Sequence, residues 1–332
     1  MRRYLLALLA TAAIAGSSAA PANALGLPAP LADLQATLTR AAQGAPGRVA
    51  MEVKDLGTGF SSSINANEVM PAASTIKIPV MVEVFRQLRQ GTFDLNHRVT
   101  LMPRDRDWGS GVIADAPVGS TFPVSELLTQ MIAVSDNTAA NMLIRLVGRT
   151  HINTEMRGLG LRHTRLADYI RTAGWSIRNS LRTSPADMVR LLTDMAQKQL
   201  IDEWSSQSMI DILEQQEINS LIPEPLPQIP IAHKTGSLDD TLNDVGIVYA
   251  SNGAYVIAVM TTQLPTLSAG RRFIRRVSRM AYTHLQQFGK WRALNTLGSP
   301  AGASATDDGS GDTPIWAPQT PVPATPNPES TP

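Results

Sequence analysis

Apolar residues recur along the middle of the chain with two different spacings. An apolar residue at every third or fourth position is typical of a helix with one buried face, whereas alternation or a short apolar run is typical of a strand. Strand patterns lie near both ends of this region, and helical patterns fill most of the interval between them. The predicted strands are 48–54, 59–64, 229–233, 244–251 and 254–262, and the principal predicted helices are 31–42, 74–90, 124–134, 138–147, 185–195, 202–213 and 269–288.

This order of elements predicts an α+β fold. Strands from both ends of a chain can join into one sheet, while the helices between them form a separate layer. We therefore expect an antiparallel five-stranded sheet flanked by terminal helices, with an inserted all-helical subdomain. The α/β part is expected at residues 30–90 and 217–290, and the helical part at residues 91–216.

The amino-terminal segment has the pattern of an export signal. Two arginines precede an apolar stretch at residues 4–15, and Ala22-Asn23-Ala24 fits the small-x-small pattern of a cleavage site. We expect residues 1–24 to be a signal peptide, with an uncleaved anchor as the alternative. The apolar stretch is short for a membrane span. The mature protein is therefore expected to be secreted or periplasmic, without a stable membrane span.

The carboxy-terminal segment has a different composition. Pro, Thr, Ser, Ala and Gly dominate residues 298–332, and such a composition cannot bury enough apolar surface to order itself. We expect a disordered tail after a catalytic domain at residues 25–297. We assign this tail no function.

Composition excludes several classes of function. The chain has 332 residues, of which 43% are hydrophobic, so it can build a sizeable core. It has no cysteine, which excludes disulfides, thiol catalysis and zinc–cysteine sites. Its net charge of +1 gives no electrostatic basis for nucleic-acid binding, and its five histidines are too scattered to indicate a metal site. We expect a monomer with no metal and no cofactor.

Candidate chemistry begins with Ser74 and Lys77, three residues apart at the predicted start of a helix. Residues at i and i+3 lie on one face, so the two side chains can touch. Serine becomes a nucleophile when a neighbouring base takes its proton, and lysine can be that base if its pKa is lowered. Only five of the 29 Lys and Arg residues are lysines, and arginine cannot serve as a base. On the pair alone, an ordinary helix start remains the alternative.

Two further motifs follow in the sequence. Ser135-Asp136-Asn137 lies between two predicted helices, and Lys234-Thr235-Gly236 ends an apolar run that predicts a buried strand. Ser-x-x-Lys, Ser-Asp-Asn and Lys-Thr-Gly together are the signature of class A β-lactamases and penicillin-binding proteins. The chance of finding all three in this order is on the order of one in thousands.

On these motifs the chain resembles the serine β-lactamase and penicillin-binding-protein superfamily, and in particular its class A β-lactamase-like branch. The resemblance covers about residues 31–289. The stretch 108–112 resembles the family's loop that places an aromatic wall over the cleft, here Trp108. The stretch 127–143 resembles the family's most recognisable helix. The order of strands and helices predicted above is also that of this fold.

The resemblance implies a role for each motif residue. Ser74 would attack a carbonyl and form an acyl-enzyme, with Lys77 as base or proton relay. Ser135 would pass a proton to the leaving nitrogen, beside the positive charge of Lys234. The backbone N–H groups of Ser74 and Ser237 would form the oxyanion hole. The residues expected to bind substrate are Trp108, Asn137, Thr235, Gly236 and Ser237.

Two features depart from the family pattern. Class A β-lactamases hydrolyse the acyl-enzyme with a water held by a glutamate a few residues after an Arg-Leu pair. This chain has the pair, Arg165-Leu166, but residues 167–179 after it contain no glutamate. Family spacing puts Ile170 at the glutamate position. The family's carboxylate-binding arginine is also missing from residues 244–251, and Arg271 or Arg272 is the proposed substitute.

Asp168 is the only carboxylate in this loop. It is one methylene shorter than the missing glutamate, so a role as deacylation base stays open. We prefer the structural alternative, in which Asp168 pairs with Arg165 or Arg171. For Asp136 we likewise expect a structural role, the satisfaction of turn amides.

Three functions stay open at this point. The first is an exported serine hydrolase that opens β-lactams, with slow deacylation because the loop glutamate is absent. The second is a D,D-peptidase, amidase or esterase that acts on cell-wall peptide or a small ester. The third is a non-hydrolytic penicillin-binding or sensor module. Activation of a water by a general base contributes about 10²–10⁴-fold in rate, so the missing glutamate favours the second and third. The spacing of the three motifs favours the first.

Overall fold

The computed structural model describes residues 29–172 and 180–297. The predicted signal peptide and tail lie outside these residues. Within them, the helices are α1 (Ala29–Gln43), α2 (Lys77–Arg89), α3 (Val124–Ala133), α4 (Asn137–Val147), α5 (Arg149–Gly158), α6 (Pro185–Ala196), α7 (Glu203–Leu213) and α8 (Leu267–Leu297). The strands are β1 (Arg48–Asp55), β2 (Ser61–Ile64), β3 (Met70–Pro71), β4 (Arg98–Thr100), β5 (Thr121–Pro123), β6 (Arg165–Leu166), β7 (Leu181–Thr183), β8 (Ile231–Leu238), β9 (Thr241–Ala250) and β10 (Gly253–Thr262).

Five strands form one antiparallel sheet in the order β2-β1-β10-β9-β8. The sheet joins strands from the two ends of the described chain, which confirms the predicted fold class. Alternate residues of a strand point to opposite faces, and in β10 the residues of both faces are buried. Helices α1 and α8 cover one face, and α6 packs on the other. The sheet is therefore the central layer of the molecule.

Two hydrophobic cores lie on the two faces of this sheet. Ile257 and Val259 pack with Leu34 of α1 and Phe273 of α8, in the core under the terminal helices. The alternate residues of this strand, Val256 and Ala258, belong to the larger core that extends into the inserted helices. The strand β8 is an edge strand of the sheet, and it contacts residues 73–76 and the helix α7 of the inserted subdomain.

The structure adds detail that the sequence pattern did not reveal. Ser74 lies in a 3₁₀ turn, Ala73–Ile76, and the α-helix begins only at Lys77. The Lys-Thr-Gly motif lies inside β8 rather than at its end. The inserted subdomain also contains short strand pairs, β4 with β5 and β6 with β7, so it is not purely helical. Within the described residues, no helix combines the length and the apolar character needed to cross a membrane.

Candidate active site

Lys77 connects the first two motifs at the centre of the site. Its side chain is fully buried at the start of α2. Its Nζ donates hydrogen bonds to Ser135 O at 2.5 Å, to Ser135 Oγ at 3.0 Å and to Asn137 Oδ1 at 2.7 Å. A lysine ammonium has three donors, and each of them has an acceptor here. The structure thus brings the Ser-x-x-Lys and Ser-Asp-Asn motifs into direct contact.

Ser74 is half-buried at the amino-terminal end of the same helix. Among the hydrogen bonds of the described residues, none joins Ser74 Oγ to Lys77 Nζ, because Lys77 is directed to Ser135 instead. Catalytic hydrogen bonds are often longer without substrate, so this arrangement is compatible with a serine–base pair. Ala73 has a φ of +48°, and Ser135 has a φ of +60°. This left-handed backbone conformation costs free energy in residues other than glycine, and such strained residues cluster at functional sites.

β8 lies directly against the turn that carries Ser74. A Cβ built on Gly236 would lie 2.9 Å from the Ser74 backbone nitrogen and 3.1 Å from Ala72 O. No side chain fits there, so glycine lets the strand backbone approach the candidate nucleophile. The next residue, Ser237, is exposed, whereas Thr235 is buried. The third motif therefore lies beside Ser74.

Burial changes the charge state of both motif lysines. Burial lowers the pKa of Lys234 to about 7, and the negative charge of Asp244 partly opposes this shift. Burial and, secondly, the positive charge of Lys234 lower the pKa of Lys77 well below its ordinary value. Asp136 and Asp107 oppose the shift of Lys77. A lysine with such a lowered pKa can accept a proton near neutral pH.

Asp136 organises the loop between α3 and α4. Its Oδ1 accepts a hydrogen bond from the Ala139 backbone nitrogen and so caps α4. Its Oδ2 accepts hydrogen bonds from the backbone nitrogens of Val112 and Ile113 at 2.7 and 2.8 Å. A Cβ on Gly111, whose φ is +91°, would lie 2.1 Å from this carboxylate. These contacts agree with the structural role expected for Asp136.

The wall loop, residues 108–112, lies beside the Ser-Asp-Asn motif, because the Asn137 nitrogen donates to Ser110 O at 3.0 Å. Trp108 is 68% exposed, and the Arg106 guanidinium lies 5.8 Å from its ring centroid. Next to it, Asp107 is buried and accepts a hydrogen bond from Asn137 Nδ2 at 2.8 Å. Both ends of the Asn137 amide are therefore bonded within the protein, to Lys77 and to Asp107. A substrate amide that uses Asn137 has to compete with these bonds.

The loop that lacks glutamate is held through its backbone. Ile170 is buried, its nitrogen donates to Asn141 Oδ1 at 2.8 Å, and its oxygen accepts from Asn141 Nδ2 at 2.9 Å. The Asp168 side chain is 54% exposed, bonded to its neighbour Tyr169 N at 2.8 Å and to Arg149 at 3.4 Å. Residues 173–179 of this loop lie outside the described residues.

The prediction that Asp168 pairs with Arg165 or Arg171 is wrong. Arg171 donates instead to the backbone oxygens of Arg104 and Arg106, and its guanidinium lies 5.6 Å from the Tyr169 ring centroid. Arg149, from the start of α5, takes the place beside Asp168. The sequence could not indicate this choice, because Arg149 comes from a helix that the apolar pattern did not predict.

Sequence reasoning missed several residues that build the site. Asn243 on β9 donates from Nδ2 to Pro71 O and Ala72 O at 2.8 and 3.2 Å, so it fixes the segment before Ser74. Asn141 fixes the backbone of Ile170, and Asp107 binds Asn137. The one local signal is the Asp-x-Gly pattern at residue 107, since Asp107 Oδ1 accepts from Gly109 N in a tight turn.

Other candidate residues lie near the site or support it. Arg271 and Arg272 are exposed near the start of α8, where a Cβ on Gly270 would lie 3.4 Å from Leu242, the strand partner of Ser237. His233 is buried and bonded to Asp244 and Asn219, as expected for a packed strand histidine. In the described part of the chain, no three His, Asp or Glu side chains gather as metal ligands.

Comparisons with known proteins agree with this geometry. The model of the β-lactamase enzyme family matches residues 33–285. The chain is 27% identical to the β-lactamase Toho-1 of Escherichia coli, over 82% of this chain and 93% of that protein. It is similar in structure to PBP-A, with 30% identity, a TM-score of 0.72 and coverage of 77% of this chain and 96% of PBP-A.

Two further solved structures show a similar likeness. A β-lactamase from Sphaerobacter thermophilus has 30% identity and a TM-score of 0.72, with 77% of this chain and 98% of that chain covered. A variant of PBP-A, solved as an acyl-enzyme complex with penicillin G, has 30% identity and a TM-score of 0.73. That comparison covers 79% of this chain and the whole of the PBP-A variant.

Proposed function

This chain belongs to the β-lactamase enzyme family and is a serine hydrolase, and from that premise we propose that β-lactams acylate Ser74 and that the acyl-enzyme is hydrolysed slowly. The family and its relatives support opening of the β-lactam ring as the reaction. The observation that carries the slow step is the loop at Ile170. A buried aliphatic side chain occupies the position at which family spacing expects the water-activating glutamate.

Acylation uses groups that already lie together. Neutral Lys77 takes the proton of Ser74 Oγ as this oxygen bonds to the carbonyl carbon, and the resulting oxyanion lies between the N–H groups of Ser74 and Ser237. When the carbon–nitrogen bond breaks, Ser135 donates its proton to the nitrogen and is reprotonated by Lys77. The 3.0 Å contact between Lys77 Nζ and Ser135 Oγ supports this transfer. Lys234 adds positive charge beside the leaving nitrogen.

Substrate binding follows from the same edge of the sheet. The hydroxyls of Thr235 and Ser237 would hold a substrate carboxylate, and Gly236 lets an extended substrate lie against β8. Arg271 is exposed near that end of the strand and provides a compensating charge for the carboxylate. Trp108 would cover the cleft from the opposite loop. The expected substrates are a β-lactam or a cell-wall peptide.

A D,D-peptidase is the second candidate function. Without a loop carboxylate directed at the ester, Lys77 and Ser135 remain to serve both acylation and deacylation, as in penicillin-binding proteins. The likeness to PBP-A, whose variant is an acyl-enzyme complex with penicillin G, supports this candidate. The sequence of residues 1–24 supports export, which would bring the enzyme to cell-wall peptide.

Intact mass spectrometry tests the proposed function. We expect the mature protein to gain the mass of one penicillin within minutes, and this adduct to persist while excess drug remains. Rapid loss of the adduct with consumption of the drug would identify an efficient β-lactamase instead. If the wild-type protein forms no adduct at Ser74, the proposed function is wrong.

The Asp168→Ala variant is expected to deacylate within about twofold of the wild-type rate. The carboxylate is mostly exposed and is bonded to Arg149 and Tyr169 N, so it is not directed at an ester on Ser74. Decay of the penicillin adduct, followed by intact mass, measures the rate. Asp94→Ala is the matched control, since Asp94 is also an exposed loop aspartate bonded to a backbone nitrogen. A loss near the roughly 10²–10⁴-fold value of a general base would make Asp168 that base.

A further inference from the structure

Asp107 is a buried carboxylate outside the three motifs. Only 6% of the residue is exposed. It accepts four hydrogen bonds, from Gly109 N at 3.0 Å, from Asn137 Nδ2 at 2.8 Å, and from the nitrogen and hydroxyl of Thr172, both at 2.7 Å. All four donors are neutral, and no ion pair of the described residues includes Asp107. Burying a charged group costs free energy, and at Asp107 only neutral donors offset that cost. The hydrogen bonds from these donors therefore decide whether the carboxylate stays ionised.

Asp107 keeps its charge in this environment. Burial alone would raise its pKa, but the hydrogen bonds from Asn137, Thr172 and Gly109 outweigh burial and hold the pKa below its ordinary value. Hydrogen bonds to the charged form of a carboxyl group favour that form. At neutral pH the carboxylate is therefore ionised and accepts hydrogen bonds only.

This charge fixes which way the Asn137 amide points. With Nδ2 bonded to Asp107, Oδ1 faces Lys77 Nζ at 2.7 Å. The reversed amide would set its oxygen against the carboxylate, which is repulsive, and Lys77 Nζ would lose Oδ1 as an acceptor. Because Asp107 can only accept hydrogen bonds, it holds the Asn137 amide in one orientation. Asn137 therefore always presents its oxygen, a hydrogen-bond acceptor, to Lys77.

We propose that Asp107 is a positioning residue for Lys77. Through Asn137 it holds Lys77 Nζ against Ser135, and through Thr172 it connects this arrangement to the loop that carries Ile170. The proposal rests on the proposed function, in which Lys77 is the base for acylation. Thr172 is in close contact with the wall loop as well, because a Cβ on Gly109 would lie 1.8 Å from Thr172 Cγ2. Asp107 thus joins the wall loop, the Ser-Asp-Asn motif and the loop at Ile170.

The role has an electrostatic consequence. The charged groups that act on Lys77 are Lys234, which lowers its pKa, and Asp136 and Asp107, which raise it. Neutralising Asp107 removes one of the two negative charges, so the pKa of Lys77 falls further. Because acylation needs neutral Lys77, the acidic limb of the acylation rate moves to lower pH.

The test is the pH profile of acylation by benzylpenicillin in the Asp107→Asn variant, measured by intact mass. We expect the plateau rate to fall roughly tenfold to a hundredfold, as for loss of a charged hydrogen-bond partner. We expect the acidic limb to move down by roughly half a pH unit to one unit, less than the shift caused by a contact pair. A merely structural role would lower the rate without moving the limb.

Two further variants sharpen the test. Thr172→Val removes one hydrogen bond to Asp107 while keeping the shape and the charge, so the acidic limb should stay where it is in the wild type. In an Asn137→Ala background, Asp107→Asn should not lower the plateau rate further, because its route to Lys77 is already lost. If Asp107→Asn does not fold, Asp107→Ser serves instead, since it is smaller and also removes the charge.

Each outcome decides the question. An acylated wild type with an unchanged rate and limb in Asp107→Asn overturns the positioning role alone. A lower rate with an unmoved limb and a lower melting temperature also overturns it, in favour of a structural role. A wild-type protein that forms no adduct overturns the proposed function first, and the positioning role with it.

Discussion

The Ser74→Ala variant is expected to form no covalent adduct with penicillin under any of the conditions used for the wild type. The other components of the site remain in this variant, including the Lys77–Ser135 contact and the strand at Gly236, so the cleft still binds the drug. No other residue supplies the oxygen that bonds to the carbonyl carbon. Intact mass after prolonged incubation measures the adduct, and a thermal unfolding curve checks the fold.

Stability should change little in Ser74→Ala. The Ser74 side chain is half-buried, and the positive φ lies at Ala73 rather than at Ser74, so the backbone strain stays. We expect the free energy of unfolding to stay within about 0.5 kcal/mol, and an increase would agree with the usual trade between stability and activity. Ser61→Ala is the control, because Ser61 is exposed on β2, at the opposite edge of the sheet from β8. Full acylation of Ser74→Ala would overturn the whole assignment.

The elements that carry burial over many residues could be predicted from sequence. The strands β1, β9 and β10 and the helices α4 and α6 bury most of their residues, so their apolar patterns are strong. Elements with few buried residues were missed. The helix α5 buries only Ile152 and Met156, which is too few positions to establish a helical period. The pairs β4–β5 and β6–β7 have two or three residues per strand, and their partners are distant in sequence.

The residues of the candidate site also divide into those that a local pattern identifies and those that it does not. The three motifs identify Ser74, Lys77, Ser135 and Lys234 because their order and spacing are specific. Contacts made across the tertiary structure could not be read from the chain. Asp107 reaches Asn137 over 30 residues, and Asn243 reaches Pro71 over 172 residues. Such pairs depend on how loops and strands pack, and no local pattern encodes that packing.

Among the contacts that the sequence could not predict, those of Lys77 bear most directly on the mechanism. Helical spacing alone brings Ser74 and Lys77 to one face, but the 3₁₀ turn at Ser74 and three acceptors on the facing loop direct Nζ to Ser135 and Asn137. In the structure the side chain of Lys77 therefore extends from the Ser-x-x-Lys motif to the Ser-Asp-Asn motif. This position fits a group that takes a proton from one serine and returns it through another.

The Lys77→Arg variant is expected to acylate about 10²–10⁴-fold more slowly than the wild type. Arginine keeps the positive charge but cannot be deprotonated in a protein, so it cannot take the proton of Ser74. Lys77→Ala, which removes both the charge and the amine, should be at least as slow. The rate of adduct formation with benzylpenicillin, followed by intact mass, measures both variants, and thermal unfolding shows whether the larger guanidinium is accommodated.

The pair of variants separates a base from a fixed charge. If Lys77 acted only through its positive charge on Ser135 and Asn137, Lys77→Arg would keep most of the activity and Lys77→Ala would lose it. If Lys77 is the base, both fail while the fold persists. Lys198→Arg is the matched control, because Lys198 is a surface lysine paired with Glu203 and should lose nothing on replacement. A folded Lys77→Arg protein with the wild-type acylation rate would transfer the base role to another group, and the burial-lowered pKa of Lys234 makes that lysine the next to replace.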